Sequence, residues 1–250
     1  MLNKIHKTIL TLSLCSIFHV GATEAPHVTA QAWLVADESG QIIEGTHTTD
    51  VRSIASITKL MTTIVVLDGQ QSLSEVIPRK LHNRFMTRQE LLDLAVVKSD
   101  NNAARMLCEY YVGGINSCIA AMNDKAKSLQ MYNTVFTDPT GLYHTNVSTA
   151  EDLIKLVMAS SKYQPIVDAS SKNMVRLQTS KKKFTEFRNT NWMVGKGHHF
   201  IVSKTGFISK SGGCIVFMIN TLRGVRTVVL LGSKNTKTRI PEAYSISETY

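Results

Sequence analysis

Apolar runs and polar breaks divide the chain beyond residue 25 into a strand-like front, a helical middle and a strand-like end. Gln31-Ala32-Trp33-Leu34-Val35-Ala36 reads as a strand, Asp37-Glu38-Ser39-Gly40 as a turn, and Gln41 to Glu44 as the returning arm of a hairpin. Ser53 to Leu67 then carries the pattern of a buried helix, expected to end at Asp68-Gly69. From Gln70 to about Ser170 the chain reads as helical. Thr87-Arg88-Gln89-Glu90 has the form of a capping box ahead of Leu91 to Val97. Asn102 to Tyr111 forms a helix stopped by Gly113-Gly114, and Ile115 to Leu129 forms another. Asp138-Pro139-Thr140-Gly141-Leu142 is a turn, and Ser148-Thr149-Ala150-Glu151 opens a helix running to about Ser160. Met174 to Gly197 is polar and shows no clear period. Phe200 to Lys204, Cys214 to Asn220 and Thr227 to Leu231 are strands, broken by Gly206 and Ser211-Gly212-Gly213, and a polar, partly helical tail closes the chain.

Two strands at the front and three at the end predict an α+β fold. One antiparallel sheet of about five strands, built from both chain ends, is flanked by helices, and a helical lobe is inserted between its halves. The expected sheet lobe covers about 26–69 and 171–250, and the helical lobe about 70–170. At 250 residues and 43% hydrophobic content, residues 26–250 suit one compound domain. There is no internal repeat and no low-complexity linker.

The first 25 residues place the protein outside the cytoplasm. Lys4, His6 and Lys7 make a basic start, Thr8 to Val20 an apolar stretch too short to span a membrane, and Gly21-Ala22 and Ala25 supply small residues for cleavage. Residues 1–25 therefore read as a secretory signal peptide, with the periplasm as destination. Cys15 follows Leu14 where a lipoprotein site needs a small residue, so lipidation there is not expected. Removal of the leader leaves Cys108, Cys118 and Cys214. Cys108 and Cys118 flank Gly113-Gly114 and either pair or stay as buried thiols, while Cys214 sits in a strand-like run and belongs to the core.

A formal charge of +9 calls for an anionic neighbour without naming it. No nucleic-acid module is recognisable, nucleic acid is incompatible with export, and Lys181-Lys182-Lys183 reads as a solvated loop. Any membrane association would be peripheral. His198-His199 are adjacent, which does not set two ligands at helical spacing, and there is no His-Glu-x-x-His. These histidines are expected in an exposed loop, and neither metal nor cofactor is expected.

Candidate chemistry begins at Ser56 and Lys59, one helical turn apart on one face. A desolvated lysine loses its proton readily and can activate a serine hydroxyl. The same spacing recurs at Ser180 and Lys183, so the pair alone also fits a helix cap followed by a surface lysine. An acyl-transfer site needs further parts: a proton relay, an oxyanion hole and a cation for the substrate's charge. Ser99-Asp100-Asn101 offers a hydroxyl and a carboxamide in a polar break between helices. Lys204-Thr205-Gly206 offers a cation, a hydroxyl and a position without a side chain on a strand.

Ser56-Ile57-Thr58-Lys59, Ser99-Asp100-Asn101 and Lys204-Thr205-Gly206, in that order, resemble the active-site-serine, penicillin-binding D-alanyl-D-alanine peptidases of low molecular mass. Ser53 to Leu67, Ser99 to Ala104, Phe136 to Leu142, Asn146 to Leu153 and Ser203 to Phe207 share in the likeness, which spans nearly the whole chain after the leader. The resemblance implies a β-lactamase/transpeptidase-like fold and hydrolysis of D-Ala-D-Ala or D-Ala-diaminopimelate bonds in peptidoglycan stem peptides and cross-links, with β-lactams as covalent inhibitors. It makes Ser56 the nucleophile, Lys59 its base and Ser99 the proton relay. Asn101 would bind the substrate's amide carbonyl. Lys204 would supply positive potential and Thr205, next to Gly206, would help hold a carboxylate, and the N–H groups of Ser56 and Phe207 would form the oxyanion hole. Arg239 is a further candidate for binding an anion.

Members held at a membrane carry a second, β-rich domain and an amphipathic C-terminal helix. This chain ends about 45 residues after Lys204-Thr205-Gly206, and Ile240 to Tyr250 shows no strong apolar stripe. It is therefore closest to the soluble endopeptidase/carboxypeptidase branch. The alternatives are a serine β-lactamase, for which no Glu-x-x-Leu-Asn is present, and a non-catalytic wall-binding relative. Oligomeric state is left open.

Overall fold

The two ends of the chain meet in one five-stranded antiparallel sheet, which fixes everything packed on it. The structure, a computed structural model, describes residues 26–180 and 183–250. The leader expected at 1–25 and the core of the expected lysine loop, Lys181-Lys182, lie outside the described residues. In chain order the elements are strands β1 (Ala32–Ala36), β2 (Ile42–Thr46) and β3 (Arg52–Ser53), then helix α1 (Thr58–Asp68). Next come the strands β4 (Val76–Leu81) and β5 (Arg84–Thr87), and helices α2 (Arg88–Asp93), α3 (Asn101–Glu109) and α4 (Gly114–Ser128). Strand β6 (Val147–Ser148), helices α5 (Ala150–Ser160) and α6 (Gln164–Ser171), and strands β7 (Met174–Ser180) and β8 (Lys183–Arg188) follow. The long strands β9 (His199–Ile208), β10 (Gly212–Thr221) and β11 (Gly224–Ser233) and helix α7 (Arg239–Thr249) complete the chain.

The sheet order is β2-β1-β11-β10-β9, so the front hairpin joins the end strands through β1 and β11, from Ala32 opposite Leu231 to Ala36 opposite Thr227. Alternation sends Ala32, Leu34 and Ala36 to one face and Trp33 and Val35 to the other. Helices cover both faces, which is why these strands read as continuous apolar runs. On one face, Leu60, Ile64, Met122, Leu153 and Val157 from α1, α4 and α5 pack against Val216 and Val229. On the other, α7 sets Ile240, Ala243 and Ile246 against Phe217 and Leu230. The tail thus carries a narrow stripe at three-residue spacing, where the sequence suggested none of strength.

Two hairpins appear where the pattern predicted helix or no period. In β4–β5, Leu81 pairs with Arg84 across a two-residue turn, His82-Asn83, with φ of 51° and 64°. Positive φ at both central residues gives the twist a tight hairpin needs. In β7–β8, Val175 and Leu177 alternate with polar residues, and Val175 pairs with Phe187. Both hairpins pack with α2 and α3 in a second core around Leu91, Leu92, Ala95 and Leu107. The capping box forms as expected: Thr87 Oγ1 accepts from Glu90 N, and the Glu90 carboxylate accepts from Thr87 N. Cys108 and Cys118 form a disulfide between α3 and α4, which closes the alternative the sequence left open, and Cys214 is a buried free thiol. His198, expected in an exposed loop, is half-buried with its ring 4.7 Å from that of Tyr244.

Candidate active site

Ser56 lies in a 3-10 turn, Ala55–Ile57, that runs directly into α1. Neither the turn nor α1 has a side-chain cap, so Ser56 is not a capping serine. Its Oγ lies 2.9 Å from Lys59 Nζ instead. Lys59 is fully buried, and its Nζ also donates to Asn101 Oδ1 at 2.7 Å and to the Thr140 carbonyl at 2.6 Å. Those two partners can only accept. As an ammonium, Lys59 would donate to all three oxygens. As a neutral amine, its two N–H groups satisfy the carbonyl oxygens and its lone pair is left to take the Ser56 proton. Burial favours the neutral form and lowers the Lys59 pKa to about 7, against the opposing pull of Asp138 and Asp100.

The Thr140 carbonyl is delivered by a turn built around Asp138. One carboxylate oxygen accepts from Thr140 N at 2.6 Å and Gly141 N at 2.9 Å, and the other from Tyr143 N at 3.1 Å and the Asn146 carboxamide. Burial alone would raise the Asp138 pKa, but these donors, Thr140 foremost, hold it below the usual range. Thr62 on α1 donates to Pro139 O at 2.7 Å, pinning the turn to the helix that carries Lys59. Gly141, with φ of +77°, presses on the Ala55–Ser56 peptide, and a methyl group there would overlap the Ala55 carbonyl.

Ser99 is placed by an irregular helix end. After α2 the chain makes a π-helical turn, Leu94–Lys98, and Ser99 then adopts left-handed φ and ψ of 60° and 34°. A non-glycine residue in that region costs about 1–2 kcal/mol and needs outside support. Lys204 Nζ supplies it by donating to Ser99 Oγ at 2.7 Å, and Thr190 N donates to Val97 O at 3.0 Å. Asp100, not Ser99, caps α3 by accepting from Ala103 N at 2.9 Å, which makes Asn101 the first helical residue. The other Asp100 oxygen lies 3.1 Å from His82 Nε2 at the tip of the β4–β5 hairpin.

Lys204 sits on β9, an edge strand, yet is only 1% exposed because Ser99 and its loop cover it. Its pKa is pushed well down by burial, then by the positive charges of Lys59 and Arg239. An incoming carboxylate would reverse that balance. Thr205 Oγ1 donates to Thr190 Oγ1 at 2.7 Å. Gly206 lets β9 approach the nucleophile: a Cβ there would stand 2.9 Å from Ser56 N. Phe207 follows on the same strand with its side chain 46% exposed. Arg239, from α7, is buried and donates from Nη1 to Gly206 O at 2.6 Å, while its Nε has no hydrogen-bond partner among the described residues.

Ser56, Lys59 and Asn101 are thus linked through Lys59 Nζ, Lys204 is linked to Ser99, and Gly206 lies against the Ser56 peptide, while Thr205 bonds Thr190 and Phe207 continues β9 beyond Gly206. Thr140 and Thr190 join them. Neither was singled out from the sequence, because a backbone carbonyl and a supporting hydroxyl leave no motif. Asp138-Pro139-Thr140-Gly141-Leu142 was legible only as a turn and as part of the resemblance.

Comparison with known proteins identifies the family. The family model for S11 peptidases, described as D-alanyl-D-alanine carboxypeptidase, matches residues 19–78 and 69–235. A D-alanyl-D-alanine endopeptidase of Escherichia coli (strain K12) is 39% identical over 208 residues, covering 76% of this chain and 67% of that protein. One from Pseudomonas aeruginosa is 36% identical over 227 residues, covering 84% and 73%. Penicillin-binding protein D2 from Listeria monocytogenes, in its cefotaxime-bound form, shares the fold with a TM-score of 0.79 at 24% identity, over 89% of this chain and 97% of that one. A Streptomyces K15 DD-transpeptidase variant superimposes with a TM-score of 0.81 at 22% identity, over 89% and 97%. The chain belongs to the S11 family of serine peptidases, the D-alanyl-D-alanine carboxypeptidases.

Proposed function

We propose that this chain is a serine-type D,D-peptidase of peptidoglycan that works through an acyl-enzyme on Ser56. The observation that carries the proposal is the buried Lys59 amine, held against Ser56 Oγ while its other contacts go to two obligate acceptors. Ser56 Oγ attacks the carbonyl carbon of a D-alanyl residue as Lys59 accepts its proton. The N–H groups of Ser56 and Phe207 receive the developing oxyanion, each such donor contributing roughly 3–4 kcal/mol in comparable sites. Ser99 passes a proton to the leaving nitrogen, the C–N bond breaks, and water then hydrolyses the ester. Asn101 Oδ1 is occupied by Lys59, which leaves its amide N–H groups for the acyl side's amide carbonyl. Lys204 and Thr205 hold the carboxylate of the departing D-amino acid, and Arg239 fixes the strand that presents them.

If Lys59 is the base, activity has an acid limb set by its pKa of about 7. The protonated form prevails below that value and cannot accept the Ser56 proton. Acylation should therefore rise with pH through the neutral range and level off above it. Acylation by a penicillin, followed by stopped-flow fluorescence across pH 5–9, reads this directly, and a rate flat down to pH 5 would exclude a base that titrates near 7.

Within the family, endopeptidase action on D-alanyl-diaminopimelate cross-links is the reading we favour over release of terminal D-alanine. The relatives matched at 39% and 36% identity both bear the endopeptidase name. Incubation with purified cross-linked muropeptide dimers decides it: monomers with little free D-alanine support the endopeptidase, whereas D-alanine release from intact dimers supports the carboxypeptidase. Export to the periplasm fits the leader at 1–25 and the Cys108–Cys118 disulfide, which persists only under oxidising conditions. Among the described residues no helix is long and apolar enough to cross a membrane.

A further inference from the structure

A cleft of about 270 Å³ opens beside the candidate site, between α3, α4 and the Asp138 turn. It begins at Asn101 and Thr140, both in contact with Lys59, and none of Ser99, Lys204 and Thr205 lines it. It therefore extends from the acyl side of the site and away from the leaving group. Ile115, Ile119 and Leu142 give it apolar walls, and Arg105 stands at its rim. Arg105 lies four residues after Asn101 on α3, so both side chains leave the same face of that helix.

The charges around the cleft leave the Arg105 guanidinium in surplus. Its Nε donates to Glu109 Oε1 at 2.8 Å, but Glu109 also receives Arg79, so two arginines share one carboxylate. Asp138, the one acid among the residues that line the cleft, has both oxygens taken by its own turn. An apolar trough with a guanidinium at its rim suits an aliphatic side chain that ends in a carboxylate.

We propose that this cleft is a specificity subsite for the residue preceding the reacting D-alanine. It takes a side chain with a short aliphatic stem and a free terminal carboxylate, and Arg105 reads that carboxylate. The proposal rests on the serine D,D-peptidase reading, since Asn101 defines the acyl side through that mechanism.

The test compares two peptides that differ by one carboxylate, acetyl-diaminopimelyl-D-alanine and acetyl-lysyl-D-alanine, each joined through its D-alanyl carbonyl to the D-centre amine of diaminopimelate as in a cross-link. The wild type should favour the first in kcat/KM by about tenfold, as expected for a partly exposed guanidinium–carboxylate pair. Arg105→Gln should bring the ratio close to one, and Arg105→Lys should restore part of it. The ratio is the readout, so a general loss of activity does not count in favour. A wild-type ratio near one, or a preference that survives Arg105→Gln, overturns the subsite. Failure of the wild type to take up penicillin at Ser56 would instead overturn the underlying reading, so the two failures are distinct.

Discussion

Replacing Lys59 by arginine should lower acylation by penicillin and hydrolysis of D-alanyl peptides by roughly 10²–10⁴-fold, although the positive charge is kept. A guanidinium does not deprotonate in proteins, so it cannot accept the Ser56 proton. Among the described residues, the buried Lys59 head group meets three acceptors, Ser56 Oγ, Asn101 Oδ1 and Thr140 O, too few for a planar five-donor group. Acylation rates from quenched-flow measurements check the size of the loss, and circular dichroism checks that the variant folds. A variant that folds and keeps wild-type acylation would mean that Lys59 serves as a fixed charge and another group is the base.

Gly141→Ala should affect both stability and chemistry. The position has φ of +77°, which penalises any side chain, and a methyl group would overlap the Ala55 carbonyl with Ser56 N only 2.9 Å away. Strain plus steric displacement predicts a loss of about 2–4 kcal/mol in unfolding free energy. Because the displaced peptide carries the nucleophile, the folded fraction should also acylate slowly. Gly206→Ala makes the comparison: its Cβ would stand 2.9 Å from Ile54 O and Ser56 N without the burden of positive φ. Its stability loss in urea titrations should be the smaller of the two, while its acylation still falls. Equal stability losses would indicate that crowding, not backbone conformation, governs the Gly141 turn.

The parts of this molecule that were legible in its sequence are those whose signal is local. Four of the five sheet strands announce themselves as apolar runs because helices bury both faces, whereas the exposed β2 shows only as the returning arm of a hairpin. The α2 start announces itself because Thr87 and Glu90 must both be present to satisfy its first donors. The order of Ser56, Lys59, Ser99, Asn101 and Lys204 was readable, and the resemblance it carries named a family to which the chain belongs. The two hairpins were not read. In β4–β5 the turn is His82-Asn83 without glycine, and Arg79, Lys80 and Arg84 disguise the alternation. In β7–β8 the buried Val175, Leu177 and Phe187 are diluted by charged neighbours. Thr140 acts through a carbonyl every residue has, and Thr190 through a hydroxyl that matters only because β9 passes beside it. Such contacts are properties of the folded chain and leave no spacing to read.

The hairpins matter to the site even though they carry none of its chemistry. His82 meets Asp100 from one hairpin, and its ring lies 4.7 Å from that of Phe187 on the other. Both therefore press on the loop in which Ser99 keeps its left-handed conformation. Sheet edge, α1 and this braced loop each contribute one segment to the site.

The identity of the acylated residue decides whether Ser56 is the nucleophile. Incubating the protein with benzylpenicillin and mapping the adduct by peptide mass spectrometry reads it in one experiment. One penicilloyl group per chain is expected, on the peptide containing Ser56. An adduct on another residue, such as the similarly spaced Ser180, or a folded protein that takes up none, would contradict it.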